Sequence, residues 1–326
     1  MRILFAGSPA IAVPALEALI TSGSSGGFTL AGLLTNPDSP KKRSGKPEPT
    51  DCAAALERRA ACLEAPAIPL LKPEKLDGTA REQVAALKPD LLVSFAYGRI
   101  FGPKFLALFP LGGINIHPSL LPKYRGPTPI PAAISNRETE TGITIQKLAA
   151  EMDSGDILIQ ETVPLGGRET TASLSGTMAE KAAQLVQAAL RGIAGGTLRA
   201  RVQDHSAATY CSLITKEDGI IDWNLSAVEI DARIRAYNPW PLSRTIHGDR
   251  EILILKAEAP EETVIPHVLP GEVLGKDNEK GILIQTGRGI LAVRELQYQA
   301  KKALEWKAFL NGARNFIGAR LGWHET

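Results

Sequence analysis

The side chains with chemistry to offer lie in two stretches of the 326-residue chain. Between Gly112 and Gly126, Ile114 and Ile116 alternate with Asn115 and His117. Side chains on a strand change face at every residue, so one face presents two isoleucines to a core and the other an amide beside an imidazole. The amide donates hydrogen bonds without ionising, and the ring gains or loses a proton near neutral pH. The chain then breaks at Pro118-Ser119 and runs into a loop ending in Lys123-Tyr124-Arg125-Gly126. A second stretch, Ala149 to Asp156, holds Asp153 and Asp156, either of which supplies a carboxylate able to reach the first pair. A histidine that ends a strand is often a packed or capping residue. The shared face with Asn115 and the nearby carboxylates point to a site instead.

These residues need a framework, and the flanking sequence describes one. Arg2 to Ala6 is a short apolar strand and Gly7-Ser8-Pro9 a turn, with Ser8 suited to the N-cap of the next helix and Pro9 to its first position. Val13, Leu16, Leu19 and Ile20 recur at helical spacing, and Phe28 to Leu34 reads as a second strand. Strand–helix–strand order predicts a parallel sheet. Asp90 to Phe95 is a near-continuous apolar run, as in a sheet covered on both faces, and it ends at Ala96-Tyr97-Gly98-Arg99. Ligands of open α/β sheets sit outside the carboxyl ends of the strands, where Tyr97, Asn115 and His117 all fall.

Further on, Ile130 begins a helix, Gly142 to Leu148 alternates as a strand, Asp156 opens another, and Ser173 to Leu190 is a long helix. Gly192 to Thr197 relaxes the pattern. The expected division is a catalytic domain over 1–191, a linker over 192–206 and a second domain over 207–326. There the texture is of short strands at Ser243–His247, Glu251–Lys256, Gly281–Thr286 and Ile290–Glu295, with a Gly287-Arg288-Gly289 hairpin and a closing helix around Trp306, Phe309 and Leu310. Such spacing suggests a small β-barrel.

Composition excludes several classes. A hydrophobic content of 44% with 22% charged residues is that of an ordinary globular chain, and a net charge of +2 does not by itself select a polyanionic partner. Cys52, Cys62 and Cys211 make no metal-binding spacing, so buried free thiols in a reducing compartment are expected. No apolar run reaches the ~18 residues of a membrane span, and a cytoplasmic protein is the expectation. Gly7 is not followed by Gly-x-x-Gly, which argues against a dinucleotide cofactor. No Ser or Cys sits in a nucleophile elbow, and no third metal ligand accompanies His117 and Asp153.

Asn-x-His-x-Ser-Leu-Leu-Pro-x-x-Arg-Gly at 115–126, followed by Met-Asp-x-Gly-Asp at 152–156, resembles the folate-dependent formyltransferases. The resemblance implies a Rossmann-like, mostly parallel α/β catalytic domain and a smaller OB-like barrel. It implies 10-formyltetrahydrofolate as formyl donor and no metal. It selects Asp153 over Asp156, and it places folate along Ser119, Leu120, Leu121 and Pro122 and near Tyr97 and Gly98. Acyl transfer to an amine then assigns the roles. Asn115 donates to the developing oxyanion, protonated His117 donates to the same oxygen and passes a proton to the leaving nitrogen, and Asp153 favours the imidazolium and accepts the amine's proton.

Three further features are similar to the tRNA-directed members of that family. The first is the basic loop with Lys41, Lys42, Arg43 and Lys46, which composition alone leaves as a solvated surface loop. The second is Ile221-Asp-Trp223 with Ile234 to Pro241, and the third is Leu296 to Lys302 with Phe309 to Arg314. The resemblance implies initiator methionyl-tRNA as acceptor, with Arg43 foremost among its contacts and Lys301, Lys302 and Arg314 in the tail. It implies no protein partner and no membrane. Pro118, Pro131, Ala300 and Leu304 depart from the pattern of the tRNA enzymes. A sugar-nucleotide or ribonucleotide amine as acceptor, or a non-catalytic RNA-binding relative, are the alternatives.

Overall fold

The computed structural model describes the chain except residues 23–26, 41–44, 61–66, 262–266 and 323–326. It forms two compact units. Residues 1–129, 140–164 and 175–211 make the first, and residues 130–139, 165–174 and 212–326 the second.

The first unit is built on strands β1 (Arg2–Gly7), β2 (Thr29–Leu34), β3 (Ser39–Pro40), β4 (Pro47–Glu48), β5 (Leu70–Leu71), β6 (Leu91–Phe95), β7 (Gly113–His117), β8 (Glu140–Lys147) and β9 (Ile157–Pro164). Seven of them form one sheet in the order β5-β2-β1-β6-β7-β8-β9, while β3 and β4 pair only with each other. From β5 to β7 all pairings are parallel, and β8 and β9 add on antiparallel. The sheet is thus mostly parallel, as its sequence pattern predicts. Every residue of β6 is buried, and in β1 only Arg2 is exposed, so both faces of the sheet centre are covered. One face packs Leu4, Ala6 and Leu92 against Leu34, Val84, Phe105 and Phe109.

Ser8 does not cap a helix. After β1 a 3-10 turn (Ala10–Ala12) leads into α1 (Val13–Ser22), with Pro9 at the N-cap and no side-chain cap bond there. The Ser8 hydroxyl instead accepts from the Asn36 main-chain N–H (3.1 Å) and Nδ2 (3.0 Å), tying the end of β1 to the end of β2. A tertiary acceptor role outcompeted the local cap.

The segment 192–206 carries Gln203, which is buried, and Arg201 bridges Ile157 in an antiparallel pair.

The second unit contains an antiparallel sheet. Its strands are β10 (Ser243–His247), β11 (Arg250–Glu261), β12 (Val273–Asp277), β13 (Gly281–Gln285), β14 (Ile290–Tyr298) and β15 (Leu304–Glu305). The order is β10-β11-β14-β13-β12, with β15 on β14. The segment after Phe316 bridges the two ends, since Val273 donates to the Ala319 carbonyl (2.9 Å) and Gly322 donates to the Ile246 carbonyl (3.1 Å). Trp223, Ile230, Ile252, Ile284, Val293, Trp306 and Phe316 fill its core. The sequence reading missed β12, whose Gly275-Lys276 interrupts the apolar pattern. It also missed the helix Ala227–Ala236, although Ser226 and Glu229 make a full capping box that was there to be read.

Candidate active site

The site forms where the sheet changes direction. β7 is the last parallel strand, and its register with β8 sets Asn115 opposite Gln146 and His117 opposite Thr144. Ile114 and Ile116 are buried on the other face, as their alternation predicts.

Asp153 completes the cluster. Its Oδ1 accepts from Asn115 Nδ2 (3.3 Å) and Gln146 Nε2 (2.9 Å), and its Oδ2 accepts from the Gly126 main-chain N–H (2.9 Å). His117 Nδ1 stands 3.5 Å from Oδ2. Asp156 faces elsewhere, pairing with Lys147 at 3.2 Å, so geometry separates the two aspartates. Asp153 holds a left-handed backbone (φ 53°), a conformation that costs a non-glycine residue roughly 1–3 kcal/mol and persists only when its surroundings enforce it.

His117 is 4% exposed. Its Nε2 lies 2.8 Å from the Tyr124 carbonyl, which can only accept, so the proton of the neutral ring sits on Nε2. That leaves Nδ1 as the nitrogen able to take up or release a second proton on the Asp153 side. Burial is the main influence on the ring and lowers its pKa, while Asp153 and the Tyr124 carbonyl pull the other way.

The loop between His117 and Gly126 is pinned through β8 and β9. Thr144 donates to the Ser119 carbonyl (2.7 Å) and accepts from the Leu121 N–H (3.3 Å), and Gln160 Nε2 donates to the Leu121 carbonyl (2.9 Å). Ser119 is fully buried, with its hydroxyl donating to the Lys123 carbonyl (2.6 Å). Leu120 lies over Gly142, where a Cβ would come within 2.4 Å of it. Leu121 is buried, and Pro122 is half-buried. Tyr97 is buried in a run of rings, stacked on Phe101 at 5.4 Å, and its hydroxyl has no partner among the described residues. The Tyr97 carbonyl accepts from Asn36 Nδ2 (2.9 Å), and Gly98 has open space where a side chain would project.

Asn115, His117 and Asp153 therefore meet, with the 119–122 loop starting two residues beyond His117. The sequence reading did not assign Gln146, Gln203 or Arg125. Gln146 follows only from the antiparallel register. Gln203 lies 50 residues beyond Asp153, in a stretch with no periodic pattern. Of the basic residues, Lys41, Lys42 and Arg43 lie outside the described residues, as does Cys62. Lys46, Lys301, Lys302 and Arg314 are exposed, the last three in the second unit.

Among the described residues no cluster of three or more His, Cys, Asp or Glu is arranged to hold a metal ion, and no helix is long and apolar enough to cross a membrane. Cys52 is a buried free thiol, pushed up to about 12 by burial.

Residues 1–190 match the family model for formyl transferases, and residues 213–314 match that for the formyl transferase C-terminal domain. With both matches in chain order, the two-part chain is a formyl transferase. The chain is 49% identical over 321 residues to the methionyl-tRNA formyltransferase of Treponema denticola, covering 97% of this chain and 98% of that one. It is 44% identical over 323 residues to that of Treponema pallidum, covering 99% of each. A solved N-formyltransferase from Helicobacter canadensis, in complex with folinic acid and dTDP-3-aminofucose, shares the fold. Its TM-score is 0.63 at 20% identity, over 90% of this chain and 99% of that one. The chain belongs to the methionyl-tRNA formyltransferases.

Proposed function

We propose that this enzyme transfers the formyl group of 10-formyltetrahydrofolate to the α-amino group of methionyl initiator tRNA. The observation that carries the chemistry is the convergence of Asn115, His117 and Asp153, and the acceptor reading is supported by near-full-length similarity to the two Treponema enzymes.

The amine attacks in its neutral form and the formyl carbon becomes tetrahedral, with negative charge growing on its oxygen. Asn115 directs one Nδ2 hydrogen to Asp153, and the other is available to that oxygen. The new C–N bond leaves a positive nitrogen, whose proton passes to the Asp153–His117 pair. Because His117 is buried and its pKa lowered, the ring begins neutral and can accept at Nδ1. It then releases the proton to the departing folate nitrogen as the old C–N bond breaks. Nε2, bound to Tyr124, holds the ring in place through both steps. The ring thus starts neutral, where the sequence suggests an imidazolium donating to the oxyanion, and Nδ1 is its working nitrogen.

Residues 1–191 are assigned the chemistry, with folate along Ser119–Pro122 and near Tyr97 and Gly98, and residues 207–326 the tRNA. Lys41, Lys42, Arg43, Lys46, Lys301, Lys302 and Arg314 are the proposed tRNA contacts, and the cytoplasm the proposed compartment. The test is to incubate the protein with 10-formyltetrahydrofolate and, in parallel, charged initiator tRNA, free methionine, an amino-sugar nucleotide and glycinamide ribonucleotide. Formylation of the tRNA alone is expected. Formylation of a rival acceptor, or of none, contradicts the proposal.

A further inference from the structure

Asp153 keeps a left-handed backbone and four neighbours around its carboxylate, which requires that its loop be held from behind. The residue doing so is Gln203, 3% exposed. Its Nε2 donates to the main-chain carbonyls of Asp153 (2.9 Å) and Gly155 (2.7 Å), and lies 3.2 Å from Gln146 Oε1.

An amide has two ends of similar shape, so a side chain in this position is useful only if its orientation is fixed. Arg125 fixes it. Arg125 is 2% exposed, and its guanidinium carries donors only. Its Nε and Nη2 both donate to Gln203 Oε1, at 3.2 and 2.7 Å, and Nη2 also reaches His205 Nδ1 at 3.0 Å. With Oε1 turned to Arg125, Nε2 must face the loop carbonyls. With Nε2 facing Gln146 Oε1, the Gln146 amide must in turn present its own Nε2 to Asp153 Oδ1, as it does at 2.9 Å. One donor-only cation therefore dictates the direction of two amides.

We propose that Gln203, oriented by Arg125, is a positioning residue for formyl transfer that acts through Asp153. The proposal rests on the role given to Asp153 above. Gln203 touches no reacting atom, and its effect on rate travels through the placement of the Asp153 carboxylate against His117 and Asn115.

The test is a double-mutant cycle on the full chain. Gln203→Glu keeps an acceptor for Arg125 but removes both N–H donors and sets an oxygen against the Asp153 and Gly155 carbonyls. It is expected to lower kcat by roughly tenfold or more, with KM for charged tRNA and for the formyl donor changed less than about threefold. Its melting temperature should fall, because two buried carbonyls lose their donor, so kcat is read well below the variant's own unfolding transition. In an Asp153→Ala background the same substitution should change kcat by less than about threefold, because the route through Asp153 is already gone. Equal losses in the two backgrounds, or a folded Gln203→Glu with wild-type kcat, overturn the inference. Should Gln203→Glu fail to fold, Gln203→Asn, which keeps the amide but shortens its reach, carries the same expectations. A wild-type kcat for Asp153→Ala alone removes the reading of Asp153 and this inference with it. A large loss there, combined with an additive cycle, removes this inference alone.

Discussion

Asn115 and Gln146 face each other across the antiparallel pair of β7 and β8, and both amides donate to the same atom, Asp153 Oδ1, at 3.3 and 2.9 Å. A carboxylate so held cannot rotate freely, and its second oxygen is kept for Gly126 and His117. The first prediction follows from the amide nearer the reaction. Asn115→Ala should lower kcat by roughly a hundredfold or more, as loss of an oxyanion donor of ~3 kcal/mol does, without lowering the melting temperature. Steady-state formylation kinetics alongside thermal unfolding would show it, and a mere twofold change would exclude Asn115 as the donor.

The second prediction concerns pH. The folded-state pKa of His117 lies below the ordinary value of 6.5, chiefly because burial disfavours the charged ring. Between the folded and unfolded pKa values the unfolded chain binds more protons, so stability rises with pH across that window. It is fully present above pH 6.5 and is lost as pH falls through the folded value. Wild type should therefore lose more stability than His117→Asn as pH falls below about 6.5. Parallel thermal melts from pH 5 to 7.5 test this, and identical pH dependence in the two proteins would show that the ring is not buried neutral.

Gly126 gives a third prediction, because its backbone donates to Asp153 at φ 119° and a Cβ there would come within 2.2 Å of the Cys211 carbonyl. Main chain cannot yield as a side-chain tip can. Gly126→Ala should destabilise the protein by roughly 1–3 kcal/mol and depress turnover with it. A fully stable, fully active Gly126→Ala would mean that the 117–126 loop adapts without disturbing Asp153.

How much of this was legible in the sequence depends on distance along the chain. The β7 alternation alone separates Asn115 and His117 from Ile114 and Ile116, and a contiguous motif marks Asp153. Gln146 required knowing that β8 runs antiparallel to β7 and in which register, which no local pattern states. Gln203 required the return of a distant segment to the sheet. Ser8 departs from its expected capping role because a good capping residue is also a good acceptor, and Asn36, two residues beyond β2, donates to it. In the second unit, β12 is masked by its glycine and charged residues, whereas the capping box of Ser226 and Glu229 is a local signal that marks the helix start.

A fourth prediction addresses RNA contact. If the exposed Lys301 and Lys302 meet phosphates, replacing both by alanine should reduce the slope of log(kcat/KM) against log salt by ~0.7–0.9 per lost contact. The kcat at saturating tRNA should be little changed. An unaltered slope would remove these lysines from the tRNA interface.

The most direct test of the central claim is single-turnover formylation of charged initiator tRNA by wild type and His117→Ala, each preloaded with 10-formyltetrahydrofolate. Wild type should give formylmethionyl-tRNA, and the folded variant should do so at a rate lower by roughly a hundredfold or more. A folded His117→Ala that formylates at close to the wild-type rate would contradict it.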